Sequence, residues 1–106
     1  MAKYMYVGSY TPDGVKGVMK EGGVSRRDAV RRLIESSGGK LEAFYFSFGE
    51  NDFYIVADFP DNVSSLAGSL VANASGTLRT TTVALLTPEE VDEASKKSVD
   101  YRPPGG

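Results

Sequence analysis

The fold is decided by residues 41–59, which read LEAFYFSFGENDFYIVADF. Leu41 to Phe48 and Asp52 to Phe59 are rich in aromatic and β-branched residues, which fit the pleated surface of a sheet. Between them lies Gly49-Glu50-Asn51-Asp52, a run of turn-forming residues. Two such apolar runs around a short turn predict a β-hairpin.

Side chains alternate between the two faces of a strand, so parity divides the hairpin into two faces. A two-residue turn at Glu50-Asn51 predicts one wholly apolar face, which we expect to lie beneath the helices: Phe44, Phe46, Phe48, Phe53, Ile55 and Ala57. The opposite face carries Tyr45, Tyr54 and Val56, with Asp58 at its end.

The first strand, Tyr4 to Tyr10, is divided in the same way. Met5 and Val7 suit the helix side, which leaves Tyr4, Tyr6 and Tyr10 on the outward face. A face so rich in Tyr is too apolar for bare solvent, and patches of that kind usually mark an interface. We therefore expect the sheet to pack on a second subunit through Tyr4, Tyr6, Tyr45, Tyr54 and Val56.

Two amphipathic helices are predicted outside the hairpin. Ser25-Arg26-Arg27-Asp28 resembles a capping box and opens a helix with Val30, Leu33 and Ile34 on its apolar face, before the Gly38-Gly39 stop. Asp61 caps the second helix, whose apolar positions have helical spacing: Val63, Leu66, Ala67, Leu70, Val71 and Ala74. Upstream, Thr11-Pro12 opens either a short helix or an ordered loop.

The remaining segments complete the order strand, helix, strand, strand, helix, strand. Thr77 to Leu86 is the fourth strand, and Thr87-Pro88-Glu89-Glu90 is a capping box that opens a short C-terminal helix. This order predicts an α+β, ferredoxin-like βαββαβ fold with a four-stranded antiparallel sheet and helices on one face. From right-handed crossovers we expect strands one and three to be parallel neighbours in the middle of the sheet. The folded domain should span residues 1–97, followed by a flexible Pro/Gly tail over 98–106.

Composition excludes several classes of chemistry. The 106 residues include no His, Cys or Trp, so there is no imidazole base, thiol nucleophile or Cys/His zinc site. Lys plus Arg number 12 against 14 Asp plus Glu, which argues against a nucleic-acid partner. No apolar run is long enough for a membrane span, and the N-terminus lacks a signal core. We expect a cytoplasmic protein with no cofactor, no metal and no membrane partner.

Several segments of the chain form a recognisable set: Tyr10-Thr11-Pro12-Asp13-Gly14-Val15-Lys16-Gly17, Gly38-Gly39-Lys40-Leu41 with Tyr45, Gly49-Glu50-Asn51-Asp52, Asp58-Phe59-Pro60-Asp61, and Leu78-Arg79-Thr80-Thr81-Thr82-Val83. Together they resemble the GYD domain family of small bacterial and archaeal proteins. The resemblance implies a ferredoxin-like fold related to dimeric α+β barrel proteins, and no settled reaction. The chain departs from the family pattern at Asn51, where the family has Tyr, and at Asp58, where it has Glu.

Candidate site residues are few, and each has a structural alternative. Asp58 among aromatic rings could act as a general acid or base, or it could simply bond the Pro60-Asp61 turn. Lys16 between glycines could meet an anionic ligand with Arg79, or be solvated. Tyr10 could donate to a ligand carbonyl, or pack at the interface.

Tyr45 and Thr80 complete the candidate ligand site. Thr80 lies on the fourth strand, and parity does not assign which face of that strand meets a partner. The Arg26, Arg27, Arg31 and Arg32 cluster is interleaved with acidic residues, which predicts a solvated helix face.

Three functions remain open at this stage. The first is a self-associating domain, a homodimer or higher homo-oligomer, that also binds a small molecule. The second is a cofactor-free isomerase or oxygenase of the dimeric α+β barrel type, with Tyr10, Lys16 or Asp58 as catalytic candidates. The third is a purely structural assembly module. A closed pocket next to Asp58 or Lys16 would favour the first two.

Overall fold

A computed structural model describes residues 1–106. Along the chain the elements are β1 (Ala2–Tyr10), α1 (Pro12–Glu21), α2 (Gly23–Ser36), β2 (Lys40–Phe46), β3 (Phe53–Phe59), α3 (Asn62–Ala74), β4 (Leu78–Leu85) and α4 (Pro88–Ser95). The four strands form one sheet in the order β2-β3-β1-β4. The predicted α+β ferredoxin-like fold is confirmed.

The direction of the two central strands was predicted wrongly. β1 and β3 are neighbours, but they run antiparallel, with Tyr6 opposite Ile55. The crossover through α1 and α2 makes β1 parallel to β2, and the hairpin then returns β3 between them in the opposite direction. Every neighbouring pair in the sheet is therefore antiparallel.

Most helix boundaries follow their capping signals. Thr11 caps α1 with Pro12 in its first turn, Asp61 caps α3, and Thr87 with Glu90 forms the capping box of α4. The Ser25 capping box was wrong: α2 begins at Gly23 behind Gly22, and Ser25 lies inside the helix. Gly22 has a φ of +88°, which suits glycine and lets the chain turn directly from α1 into α2.

The hairpin exists, but its register differs by two residues from the prediction. Phe46 rather than Phe48 lies opposite Phe53, and Phe44 lies opposite Ile55. Residues 47–52 form a six-residue connection, and Phe48 within it is fully exposed. A shift of two preserves the face of every side chain, so Phe44 and Phe46 still lie on the helix side.

The face assigned to the β1 tyrosines was wrong. Tyr4 lies opposite Ala57 and Tyr6 opposite Ile55, and directly paired residues share a face of the sheet. Both rings are buried beneath α3, where the Tyr4 hydroxyl donates to Asn62 and the Tyr6 hydroxyl is hydrogen-bonded to Ser65. Burying a Tyr is inexpensive when its hydroxyl has a partner. Tyr4 and Tyr6 are therefore core residues and not interface residues.

Helix α3 packs on the sheet through its small residues, Ser65 and Gly68. Its apolar stripe faces solvent: Val63, Leu66, Leu70 and Val71 are 77, 55, 59 and 63% exposed. The tyrosine rings beneath the helix occupy the volume that large helix side chains would otherwise fill. We call Val63, Leu66, Leu70 and Val71 the α3 stripe.

The core lies between the sheet and the helices. Its eight buried residues are Tyr4, Tyr6, Val30, Ile34, Phe53, Ile55, Ala57 and Phe59. No residue after Leu85 is buried even in part, so α4 and the tail lie outside this core. None of the helices combines the length and the apolar character that crossing a membrane requires.

Candidate functional site

The predicted site residues separate into three places. Tyr10 and Thr80 line a cavity between the sheet and the helices. Tyr45 and Asp58 lie on the opposite side of the sheet, since Tyr45 pairs with Tyr54 and Asp58 with Lys3. Lys16 is exposed on α1. No single pocket joins Tyr10, Lys16 and Asp58.

The side of the sheet away from the helices is an uncovered, largely apolar surface. Its residues, which we call the outer sheet face, are Met5, Val7, Tyr45, Tyr54, Val56 and Val83. Tyr45, Tyr54 and Val83 are 71, 39 and 43% exposed, and the other three are half-buried by their neighbours. Tyr45, Tyr54 and Val56 thus lie on the predicted face.

Asp58 forms part of an ion cluster at one end of the outer sheet face. Lys3 Nζ lies 3.1 Å from Asp58 Oδ1 and also contacts Glu42, the extra residue of a bulge in β2. The hydrogen bonds that Lys3 donates to the Glu42 and Asp58 carboxylates raise the pKa of Lys3. The Asp58 carboxylate is therefore held by a permanent cation, and no bond links it to the Pro60-Asp61 turn.

On the helix side lies a cavity of about 70 Å³, which we call the inner cavity. Most of its wall is apolar. The sheet contributes Phe53, Ile55 and Leu78, α2 contributes Val30 and Ile34, and α3 contributes Ala72. Its polar residues include Tyr10, Arg26 and Thr80. An apolar pocket with a few polar groups is the usual form of a small-molecule site.

Two polar atoms at this cavity are unpaired. Arg26 Nε and Thr80 Oγ1 are buried, and neither has a hydrogen-bond partner. The guanidinium has one anionic neighbour, Glu21, whose Oε1 lies 3.8 Å from Nη1. Leaving a buried donor or acceptor unsatisfied costs about 1–3 kcal/mol, so such atoms require an explanation.

Tyr10 is positioned by the hairpin connection. The Asp52 carboxylate accepts a hydrogen bond of 2.9 Å from the backbone N–H of Tyr10, and the Tyr10 ring packs on Phe53 with centroids 5.2 Å apart. Burial raises the pKa of Tyr10, and the nearby Arg26 charge only partly opposes this. At neutral pH the hydroxyl is therefore protonated and able to donate.

A second, more polar pocket of about 210 Å³ lies beside α1 and shares Tyr10, Arg26 and Leu78 with the inner cavity. Asp13 and Glu21 contribute carboxylates to it, and Gly17 and Val18 form part of its wall. Lys16 does not line this pocket, although its neighbour Gly17 does. No three acidic side chains in the chain come together as metal ligands.

The sequence interpretation missed Arg26, which it placed on a solvated face. A signal was present: Arg26, Val30 and Ile34 are four residues apart, so they share one face of α2. Val30 and Ile34 are buried, and Arg26 follows them towards the cavity. In contrast, Arg31 and Arg32 are exposed, and Arg31 pairs with Asp28 at 3.0 Å as a surface charge does.

Comparison with protein families adds one finding to this geometry. The family model of the GYD domain matches residues 4–95, from β1 through α4. The chain belongs to the GYD domain family. In this GYD domain the Tyr10-to-Gly17 segment ends β1 and opens α1, where the Thr11 N–H donates to Thr77 O across 2.9 Å. Searches of curated proteins and of solved structures found no significant match.

The two departures from the GYD pattern fall away from the inner cavity. Asn51 lies in the connection between β2 and β3, and Asp58 lies in the ion cluster of the outer sheet face. Neither residue contributes to the cavity wall. Neither departure therefore replaces a residue that lines the inner cavity.

Proposed function

We propose that this GYD domain is a self-associating module that packs the outer sheet face of one copy on the same face of a second. The uncovered apolar surface of the four-stranded sheet is the observation that carries this proposal. Stable sheets bury such faces against another layer, and a face-to-face pair places two sheets about 10 Å apart. A two-fold axis would make the contact self-complementary.

The distribution of charge on this face supports the pairing. The charged residues on this side lie towards its two ends: Lys3, Glu42 and Asp58 form the ion cluster with Lys40 opposite Asp58, and Arg79 lies opposite Ser9. Between these two ends the central strands present Met5, Val7, Tyr54 and Val56. Desolvating this central region costs little, because the two Tyr hydroxyls at its margin can keep contact with water.

A cofactor-free enzyme is the weaker candidate. Its reacting groups would have to converge on a substrate, whereas Tyr10, Lys16 and Asp58 lie in three separate places. The sequence leaves open whether the self-associating domain also binds a small molecule or is a purely structural assembly module. Self-association itself is common to both.

Sedimentation velocity between about 1 and 100 µM tests the proposal. We expect the wild-type chain to form an oligomer, and the double variant Tyr54→Glu with Val83→Glu to dissociate at least tenfold more readily. Charges placed at a dry contact between like faces repel and lose hydration. If circular dichroism shows that the charged variant is unfolded, the double variant Tyr54→Thr with Val83→Thr replaces it, because threonine keeps the β propensity of both positions.

The matched control is Leu66→Glu with Leu70→Glu on the α3 stripe, which has comparable exposed apolar side chains. This control should leave the association unchanged. A monomeric wild-type chain at 100 µM would overturn the proposal, and so would dissociation by the α3 variant with none by the sheet variants.

A further inference from the structure

The inner cavity contains polar groups that the fold itself does not use. Arg26 Nε and Thr80 Oγ1 are both buried without partners, although the rest of the buried polar side-chain atoms are hydrogen-bonded. The cavity lies on the helix side of the sheet, so packing through the outer sheet face would not cover it. What satisfies these two atoms must therefore enter the cavity itself.

The chemistry of the polar groups indicates the charge of an occupant. Arg26 offers a fixed cationic donor, while Thr80 and Tyr10 offer hydroxyls that can donate. Tyr10 remains protonated because burial disfavours its phenolate. A carboxylate has two oxygens that together accept several hydrogen bonds, and it forms its strongest ones with a guanidinium. The distance of 3.8 Å to Glu21 leaves Arg26 without a close anionic partner.

The rest of the wall indicates the body of the occupant. Phe53, Ile55, Val30, Ala72 and Leu78 present only carbon to the cavity, so an apolar tail would be desolvated there. The volume of about 70 Å³ is small. It is roughly half of the 150 Å³ cavity that accommodates benzene. A tail of four carbons therefore fits better than an aromatic ring of six, with the carboxylate at the edge of this volume, where Tyr10 and Arg26 also border the second pocket.

We propose that the inner cavity binds a short-chain aliphatic monocarboxylate, with its carboxylate at Arg26, Thr80 and Tyr10 and its tail among Phe53, Ile55 and Ala72. Occupation supplies partners to the two unpaired atoms and fills the apolar space in one step. The inference does not depend on self-association, because a monomer contains the whole cavity.

Titration of the ¹⁵N-labelled full chain with sodium pentanoate, followed by NMR, tests the inference. We expect saturable shifts at the amides of Tyr10, Gly68 and Thr80, and at least tenfold weaker binding of pentanamide, which has the same size without the charge. Equal affinity for the two compounds, or no saturable shift with pentanoate, would overturn it.

Thr80→Val is the decisive variant. It replaces an unpaired buried hydroxyl by a methyl group of similar shape in a strand, so the free energy of unfolding should not fall. Pentanoate should nevertheless bind severalfold more weakly. A variant with unchanged pentanoate affinity would contradict the proposed site.

Two further variants separate charge from space. Arg26→Gln should weaken pentanoate binding at least tenfold, whereas the matched Arg27→Gln on the adjacent, Asp28-paired position should not. Ala72→Leu should abolish binding by filling the cavity without altering a polar group. If Arg26→Gln is unfolded, the single variants Ala72→Leu and Thr80→Val still test whether pentanoate binds in the inner cavity. Undiminished pentanoate binding by Ala72→Leu would place the ligand elsewhere and overturn the inference.

Discussion

Gly14 and Gly17 lie one turn apart in α1 and have opposite surroundings. A Cβ at Gly14 would lie 1.9 Å from the carbonyl oxygen of Thr77, whereas a Cβ at Gly17 would meet nothing within 4 Å. The first glycine lets α1 approach the start of β4, and this brings Thr11 close enough to bond Thr77. The second glycine has no such role, although both read alike in the sequence.

Gly14→Ala is therefore expected to lower the free energy of unfolding by about 1–3 kcal/mol, because the backbone must move to remove the overlap. Gly17→Ala is the matched control and should raise stability by up to about 1 kcal/mol through helix propensity. Urea unfolding followed by circular dichroism measures both. A Gly14→Ala chain as stable as wild type would show that α1 does not approach β4 so closely.

Helix α3 illustrates how an element can be predicted correctly and oriented wrongly. Its start at Asp61 and its helical period follow from local residues, and the Asp61 side chain accepts from the Ser64 N–H at 2.8 Å. That bond lowers the pKa of Asp61. The cap therefore contributes its full stabilisation at pH values above the ordinary pKa of Asp, and this contribution is lost as the pH falls towards the lowered pKa. The helix then packs on its small residues because tyrosine rings occupy the space below.

This orientation predicts that alanine substitutions on the α3 stripe lower the free energy of unfolding much less than an alanine substitution in the core. Leu66→Ala with Leu70→Ala should alter the free energy of unfolding by less than about 1 kcal/mol, since both side chains are more than half exposed. Ile55→Ala should cost about 2–5 kcal/mol because Ile55 is only 7% exposed in the core. Denaturant unfolding of both variants and the wild type at equal protein concentration measures the difference. A double α3 variant as destabilised as Ile55→Ala would mean that the α3 stripe is buried in solution.

The whole molecule is more extended than one core requires. Its radius of gyration is 17.0 Å and its longest dimension 57 Å. A compact chain of this length has a radius of gyration of about 13 Å. The difference reflects residues 86–106, which include α4 and lie exposed throughout. The predicted domain end at residue 97 and the flexibility of residues 98–106 stay predictions.

Deleting residues 87–106 should therefore leave the domain folded. We expect the free energy of unfolding to change by less than about 1 kcal/mol, because no buried side chain is removed. Amide spectra of residues 2–85 and urea unfolding measure the effect. Unfolding or aggregation of the shortened chain would show instead that residues 87–106 cover apolar surface of the sheet or the other helices.

Local signals carried a large part of the candidate site. Tyr10 and Thr80, both selected from the sequence, line the inner cavity, but Tyr10 was predicted on the outward face and lies instead on the helix side. Tyr45, Tyr54 and Val56 share the outer sheet face as predicted. Arg26 was missed because it was grouped with the other arginines of α2 as a solvated cluster. Its helical spacing from Val30 and Ile34 places it on the buried side of α2 instead. Lys16 and Asp58 were selected by their neighbours in sequence, but neither residue lines the inner cavity or the second pocket.

Local sequence patterns are sufficient to predict the order of the elements, the hairpin and the caps at Thr11, Asp61 and Thr87. These depend on alternation, helical period and hydrogen bonds between residues a few positions apart. Which faces of β1 and α3 are buried depends instead on how distant parts of the chain pack together. Parity defines two faces without saying which is covered, and Tyr6 could be buried because Ser65, distant in sequence, accommodates its hydroxyl. The same packing left Arg26 and Thr80 facing a shared cavity, which no local pattern contains.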